Sequence, residues 1–315
     1  MKSLITGVTG FGGSHLAEHL LSAGDEVHGI ARSLDRKENI ASVAGKIVFE
    51  QVDLIDREAI DALLRTVQPE VIYHLAGEAS AARSLQNPQE TVRQNVIGTV
   101  NLLESARRLA RPPRIVLVTS SEMYGNVRLE DIPLTEASPL RPLHAYALSK
   151  VVLHYLGRMY HATFGLPIIE ARAFNHIGPR QSAGFVVPDF ARQIAEIAAG
   201  KQEPVVRVGN LEDERDFTDV RDVARAYRLI GVQGRVGEVY HICSGRSWKI
   251  RSVLETLIAS TGVRVEVVVD PAKLRPSKMP VIRGSFEKLD RELSWKPEIP
   301  IEKSLGDTLQ YWKEC

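Results

Sequence analysis

Two cysteines in 315 residues, Cys243 and Cys315, are too few for a disulfide framework. A reducing cytoplasm is therefore the expected compartment. Charge of one sign is missing too. Forty Lys+Arg against 39 Asp+Glu leave a net +1, with no basic block. Nucleic acid and anionic membrane surfaces are not expected partners, whereas a small anionic ligand held by a few arginines is compatible with that balance. No apolar run approaches the ~20 residues that span a bilayer. The opening "MKSLITGVTG" has no charged leader, apolar run and cleavage site. No membrane association is expected. Repeats and low-complexity tracts are absent. What is present is ordinary globular composition, 44% hydrophobic and 25% charged, long enough for one large domain or two modest ones.

The first half alternates short apolar, β-rich runs with helical patterns. "SLIT", "EVHGI", "KIVFEQV", "EVIYHLA", "RIVLVTS" and "LPIIEARA" are separated by stretches such as "SHLAEHLLSAG" and "DREAIDALLRTV". Continuous apolar strands alternating with helices predict an α/β protein with a Rossmann-type, doubly wound parallel sheet covered on both faces. Two helices carry more apolar residues than one buried face needs. One has a stripe of Val92, Val96, Val100 and Leu103, with Ile97 and Leu102 beside it. The other has a stripe of Leu148, Val152, Tyr155 and Met159, with Val151 and Leu156 outside it. A wide core face explains this pattern nearly as well as a symmetric homodimer packed through a helix bundle. After residue 173 the loops lengthen and gain Pro, Gly and Arg. Residues 1–173 plus about 217–242 are expected to form the nucleotide-binding domain. About 174–216 plus 243–315 are expected to form a smaller, discontinuous carboxy-terminal lobe that closes over a ligand at the carboxyl ends of the strands.

"ITGVTGFGGSHL" places Gly7, Gly10 and Gly13 at G-x-x-G-x-x-G spacing, with Phe11 and Gly12 inside the turn, after a strand and opening a helix. Glycines let backbone N–H groups approach a pyrophosphate at the positive helix end. At the end of the second strand, where Asp or Glu bonds the ribose of NAD, stand Ala31 and Arg32. A guanidinium matches a phosphate, so NADP(H) is expected over NAD(H). Asp53 and Leu54 end the third run near the expected adenine. Leu75, Ala76 and Gly77 end the fourth, beside the expected ribose and pyrophosphate.

"VLVTSSEMYG" ends an apolar strand with Thr119, Ser120, Ser121 and Glu122. "HAYALSK" then sets Tyr146 and Lys150 one helical turn apart. Tyr-x-x-x-Lys alone is common by chance. With the glycine turn and the strand-end hydroxyls, residues 2 to about 311 resemble the extended short-chain dehydrogenase/reductase family. That resemblance implies a catalytic Ser120 (four residues before Tyr124), Tyr146 and Lys150. A free tyrosine has a pKa near ~10, and the Lys150 ammonium is expected to lower it while also holding the nicotinamide ribose. Glu122 falls where related 4,6-dehydratases keep a proton-transfer glutamate. Some reductases keep one as well, so it leaves the reaction open.

"RAFNHIGPRQSAGFVVPDFARQI", "VGNLEDERDFTDVRDVARAY", "YHICSG" and "LRPSKMP" are similar to the GDP-6-deoxy-D-mannose reductases. The similarity implies that Asn175 and Arg192 contact a nucleotide sugar and that Val186 and Val187 line its base side. It further implies that Arg215 and Arg275 clamp its diphosphate, Ser80, Ser121 and Glu122 lie on its sugar side, and His176 approaches the cofactor. A satisfied loop histidine is an equal alternative for His176. Lys278 stands where these reductases keep a carboxylate near the nucleoside, Met123 replaces a Glu, and "HLAGEASAARS" is unusual around Ser80. The expected activity is NADPH-dependent reduction of the C4 keto group of a GDP-4-keto-6-deoxyhexose, giving a GDP-6-deoxyhexose such as GDP-D-rhamnose, with no metal. GDP-mannose 4,6-dehydratase is the first rival. A C4 epimerase and a non-catalytic NADP(H)-sensing binding protein follow. "ARSLDRKENIAS" is too short for the dehydratases' extra segment after the second strand, which favours the reductase.

Overall fold

The computed structural model describes residues 1–274 and 280–315. In chain order the strands are β1 (Lys2–Thr6), β2 (Glu26–Ala31), β3 (Val48–Gln51), β4 (Val71–His74), β5 (Arg114–Ser120), β6 (Ile168–Ala173), β7 (Asn175–Ile177), β8 (Val205–Val208), β9 (Glu214–Asp219), β10 (Val239–Ile242), β11 (Ser247–Lys249), β12 (Glu266–Val269) and β13 (Val281–Ile282). Seven of them form one sheet in the order β10-β6-β5-β4-β1-β2-β3, parallel throughout. The strand order reverses between β1 and β4. This is the switch point of a doubly wound sheet, where the diverging crossovers leave a crevice at the carboxyl edge.

The central strands read as unbroken apolar runs because helices cover both faces. Val71, Ile72 and Tyr73 of β4 and Ile115, Val116 and Leu117 of β5 are all buried. One face packs on helices Phe11–Ser22 and Val220–Gln233, the other on Arg57–Val67, Gly98–Ala106 and Ala145–Phe164. Each fully buried Val, Leu or Ile contributes about 1.5–3 kcal/mol. A charge introduced at Val116 would meet that face with no partner.

A second apolar cluster lies beyond the strand ends, built from helices Val186–Ala198, Ile250–Ala259 and Ile301–Glu314 with β8 and the small sheet around β9. The expected boundaries do not follow these clusters throughout. β9 crosses residue 217 and pairs with β7, β11 and β13, in the small sheet. Leu289 and Trp295 sit in the core of the large sheet, with Trp295 Nε1 donating to the Asp222 carbonyl at 3.2 Å.

The apolar stripe expected from Val92 to Leu103 is not a single face. Residues Arg93–Ile97 form a π turn between helices Pro88–Val92 and Gly98–Ala106. The extra residue rotates the face. Thr91, Asn95, Thr99, Leu102, Leu103 and Ala106 turn inward, while Val92 and Ile97 are exposed. On helix Ala145–Phe164 the stripe Leu148, Tyr155 and Met159 is exposed, and Tyr146, Lys150, Leu153 and Tyr160 are buried. Among the described residues no helix is long and apolar enough to cross a membrane.

Candidate active site

A cleft of about 1510 Å³ runs along the carboxyl edge of the large sheet, under the smaller lobe. At one end lies the glycine turn. Gly7 has φ +76°, and a Cβ there would come within 3.0 Å of the Ala76 backbone. A Cβ on Gly13 would come within 2.2 Å of the Gly7 carbonyl oxygen. Only glycine permits this approach of turn, helix and β4 loop. Helix Phe11–Ser22 starts at Gly10 with no side-chain cap, so its first N–H groups are free to meet an anion. Phe11, Gly12 and Gly13 line the cleft, and His176 stacks on Phe11 with ring centroids 5.5 Å apart and an interplanar angle of 7°. His176 is partly buried, its ring bonds the Phe174 carbonyl at 3.1 Å, and desolvation lowers its pKa.

Arg32 lies at the cleft edge, with Nη1 3.6 Å from Glu90, and its side chain is 60% exposed. Ser33 and Arg36 line the same edge and were not singled out from sequence. They add a hydroxyl and a second guanidinium to a site suited to a phosphate. Asp53, Leu54, Leu75, Ala76 and Gly77 line the cleft as placed by the strand ends. The β4 end is fixed by a chain of buried hydrogen bonds. His74 bridges Thr6 Oγ1 and Thr99 Oγ1, each at 2.8 Å. Thr6 Oγ1 accepts from Ala76 N–H at 3.1 Å. Burial, with help from the Lys150 charge, lowers the His74 pKa to about 3, so the ring is neutral. Asn95, on the π turn, accepts from Glu78 N–H at 2.7 Å and donates to Ser149 Oγ at 2.8 Å. It ties the β4 loop to the helix of Tyr146. Its sequence signal was hidden because a lone Asn within an apolar helix reads as a wet face.

At the centre, β5 delivers Ser120, and helix Ala145–Phe164 delivers Tyr146 and Lys150, all three lining the cleft and nearly buried. Lys150 Nζ donates to the Val118 carbonyl at 2.9 Å and stands 5.9 Å from the Tyr146 ring centroid. The expected lowering of Tyr146 is not what this arrangement produces. Burial dominates and raises the phenol to about 12, opposed by hydrogen bonding with Ser120 and reinforced by the negative charges of Glu122 and Glu78. Lys150 itself is lowered to about 8 by burial, with the Glu170 carboxylate pulling the other way. Glu170 belongs to a buried cluster below the site. It accepts from Thr119 Oγ1 at 2.5 Å and from Arg172 Nε at 2.9 Å, and pairs with His154 Nδ1 at 2.5 Å. Those partners hold it at about 2 despite burial. Glu122 lines the cleft with its Oε2 3.1 Å from His144 Nε2. His144, missed in the sequence reading, caps the Tyr146 helix and stacks on Tyr146 with centroids 6.0 Å apart.

Toward the smaller lobe, Ser80, Ser121, Asn175, Val186, Val187 and Arg215 all line the cleft. Ser80 also caps helix Ala81–Gln86, accepting from Arg83 N–H at 3.3 Å. Arg215 pairs with Asp213 at 3.0 Å. Glu78, Arg83 and Lys273 line the cleft without having been foreseen. Arg83 engages both oxygens of Glu78 at 2.9 Å, and Lys273 pairs with Asp189 at 2.6 Å. Arg192 is the exception among the expected substrate contacts. Its guanidinium turns into a neighbouring depression, bound to Glu196 at 2.9 Å and Asp189 at 3.4 Å. Arg275 and Lys278 lie outside the described residues. Among the described residues no group of three or more His, Cys, Asp or Glu could hold a metal ion.

The profile of the family described as GDP-mannose 4,6 dehydratase matches residues 4–308. GDP-6-deoxy-D-mannose reductase of Pseudomonas aeruginosa is 34% identical, with 99% of this chain and 97% of that protein covered. GDP-mannose 4,6-dehydratase of Yersinia enterocolitica is 29% identical, with 97% and 92% covered. The solved structure of RMD from Pseudomonas aeruginosa complexed with NADPH matches with a TM-score of 0.88 at 31% identity, covering 100% of this chain and 99% of that one. UDP-glucose 4-epimerase of Thermotoga maritima, solved with UDP-glucose, matches with a TM-score of 0.90 at 27% identity, covering 100% and 99%. With its glycine turn, strand-end serine and Tyr–Lys helix in one crevice, the chain belongs to the GDP-mannose 4,6-dehydratase family of extended short-chain dehydrogenases/reductases.

Proposed function

We propose that this chain reduces the C4 ketone of a GDP-4-keto-6-deoxyhexose with NADPH, giving a GDP-6-deoxyhexose such as GDP-D-rhamnose. The observation that carries the reading is the convergence of Ser120, Tyr146 and Lys150 on one cleft with the glycine turn. The turn fits a dinucleotide because its helix start leaves N–H groups uncapped, and Arg32, Ser33 and Arg36 fit an added phosphate. NADPH, when bound, supplies the hydride. Ser120 donates a hydrogen bond to the ketone oxygen, and Tyr146 gives that oxygen its proton as the alkoxide develops. Lys150 anchors the nicotinamide ribose and keeps a positive charge beside the phenol as it loses its proton. Arg215, and Arg275 by family likeness, take the diphosphate. Arg192, which the resemblance puts in contact with the nucleotide sugar, pairs with Glu196 and Asp189.

The dehydratase reading draws support from Glu122 in the cleft and from the family profile. Chain length supports the reductase. The match to the Yersinia dehydratase runs over 346 positions against a chain of 315, so that protein carries segments this one lacks. The match to the Pseudomonas reductase runs over 312. For assembly, the exposed Leu148, Tyr155 and Met159 beside Val92 and Ile97 suit a homodimer built on a helix bundle. Free Cys243 and Cys315 suit the cytoplasm. The test supplies GDP-mannose alone, then its 4-keto-6-deoxy product with NADPH. Stoichiometric NADPH loss with the keto sugar only is expected. Turnover of GDP-mannose without net NADPH loss would establish the dehydratase instead. Tyr146→Phe is expected to lower reductive kcat by at least ~100-fold while still binding NADPH, and unchanged turnover would overturn its assignment.

A further inference from the structure

The Tyr146 helix begins at a histidine, where a short Ser, Thr, Asp or Asn is the usual cap. His144 Nδ1 accepts the Ala147 N–H at 3.2 Å. A neutral imidazole that accepts at one nitrogen carries its proton on the other. The proton is therefore on Nε2, which lies 3.1 Å from Glu122 Oε2 and donates to it. The ring lies parallel to Tyr146, 7° between planes. Glu122 is in turn held through its backbone, whose N–H donates to Ser120 Oγ at 3.2 Å. One histidine thus holds a carboxylate in the same cleft as the serine and tyrosine that would polarise a ketone.

That placement is chemically hazardous for a reductase. A ketone held by Ser120 and Tyr146 has acidic C–H bonds on the carbons flanking it, and an unpaired carboxylate in the same cleft is a base for them. We propose that His144 is a positioning residue whose Nε2–H occupies Glu122 Oε2 and holds that oxygen away from the C–H bonds flanking the ketone, so that the site reduces a 4-keto sugar without enolising it. This rests on the keto-sugar reading above. The suppressed step balances without a redox change. A C–H bond next to C4 breaks, its proton passes to Glu122, and its electron pair forms a C=C bond while the C4 oxygen takes the negative charge. Return of a proton from solvent restores the ketone with the hydrogen exchanged.

His144→Asn separates this role from capping. The asparagine oxygen falls near the place of Nδ1 and still caps the helix, but no donor reaches Glu122. The keto sugar is incubated in D2O with NADP+ and wild type, His144→Asn, Glu122→Gln or the double variant, and deuterium uptake is read by mass spectrometry. Circular dichroism melts confirm that each variant folds. The wild type is expected to exchange near the uncatalysed rate. His144→Asn is expected to exchange about tenfold faster, the effect of releasing the carboxylate oxygen from one hydrogen bond. The double variant is expected to fall back to the wild-type rate. Equal exchange in wild type and folded His144→Asn overturns the proposal, as does fast exchange that survives Glu122→Gln. Because no hydride moves in this assay, failure of the reductase reading shows separately, as absence of NADPH consumption by the wild type.

Discussion

Lys150 is charged where the fold least favours charge. Burial lowers it from 10.5 to about 8 even with Glu170 opposing. A displacement of that size, at about 1.36 kcal/mol per unit, leaves the folded chain bearing roughly 3 kcal/mol of penalty at neutral pH. Lys150→Met keeps the stem and removes the charge. The Val118 carbonyl, which accepts from Nζ at 2.9 Å, then loses its partner, returning about 1–2 kcal/mol. The variant should therefore be more stable than wild type at pH 7 by about 1–2 kcal/mol. With an unfolding entropy of about 2.1 cal/mol/K per residue, the melting temperature should rise by roughly 2–3 °C. The pH dependence is the sharper signature. Below pH 8 the lysine is protonated in folded and unfolded chains alike, and the penalty is complete. Between 8 and 10.5 the folded chain has released the proton that the unfolded chain still holds, so wild-type stability climbs with pH. Above 10.5 both are neutral and the penalty is gone. The advantage of Lys150→Met should thus be largest at neutral pH and shrink across that window, in urea melts at pH 7, 9 and 10.5. A variant less stable at pH 7, or a difference flat in pH, would refute the reasoning. The same variant should lose turnover, the usual exchange of stability for a strained functional group.

Two further outcomes follow from the same geometry. Glu170, held at about 2 by His154, Arg172 and Thr119, gives stability that is present above its ordinary 4.5 and lost as pH falls through 2. Glu170→Gln should cost about 3 kcal/mol at pH 7 in urea melts, with the deficit narrowing below pH 4.5. Arg32→Ala should raise the KM for NADPH about tenfold and leave that for NADH within twofold. Equal changes for both would remove Arg32 from phosphate recognition.

The sheet was legible because its strands are buried on both faces and read as unbroken apolar runs, and because the Gly7–Gly13 spacing has few other uses at a strand–helix turn. What misled was local. The π turn at Arg93–Ile97 adds a residue that 3.6-residue periodicity does not count, so Val92 was assigned to a face it does not share with Leu103. Arg192 has acids three residues before it and four after it on its own helix, and it pairs with both. His144 went unread because histidine is an unusual cap, although it stands two residues from the tyrosine that was read. The sign of the Tyr146 shift needed a weighing of burial against a nearby ammonium, and spacing gives proximity alone.

That sign bears on the direction of the reaction. A phenol at about 12 is fully protonated at neutral pH. It is still several units more acidic than a water-like hydroxyl at about 16, so it can protonate a developing alkoxide downhill. As a base for the reverse oxidation it would be present almost entirely in the wrong form. Ser120 lowers the phenol while Glu122 and Glu78 raise it, so the carboxylates of the sugar end bias the tyrosine toward giving its proton. Lys150 at about 8 retains its charge at neutral pH and loses it just above. A site that needs Tyr146 protonated and Lys150 charged has both at pH 7. Above pH 8 it keeps the proton donor but loses the ammonium that stabilises the phenolate left behind. Reduction should therefore weaken through that pH while the tyrosine is still intact, which assigns the basic limb of the rate profile to the lysine.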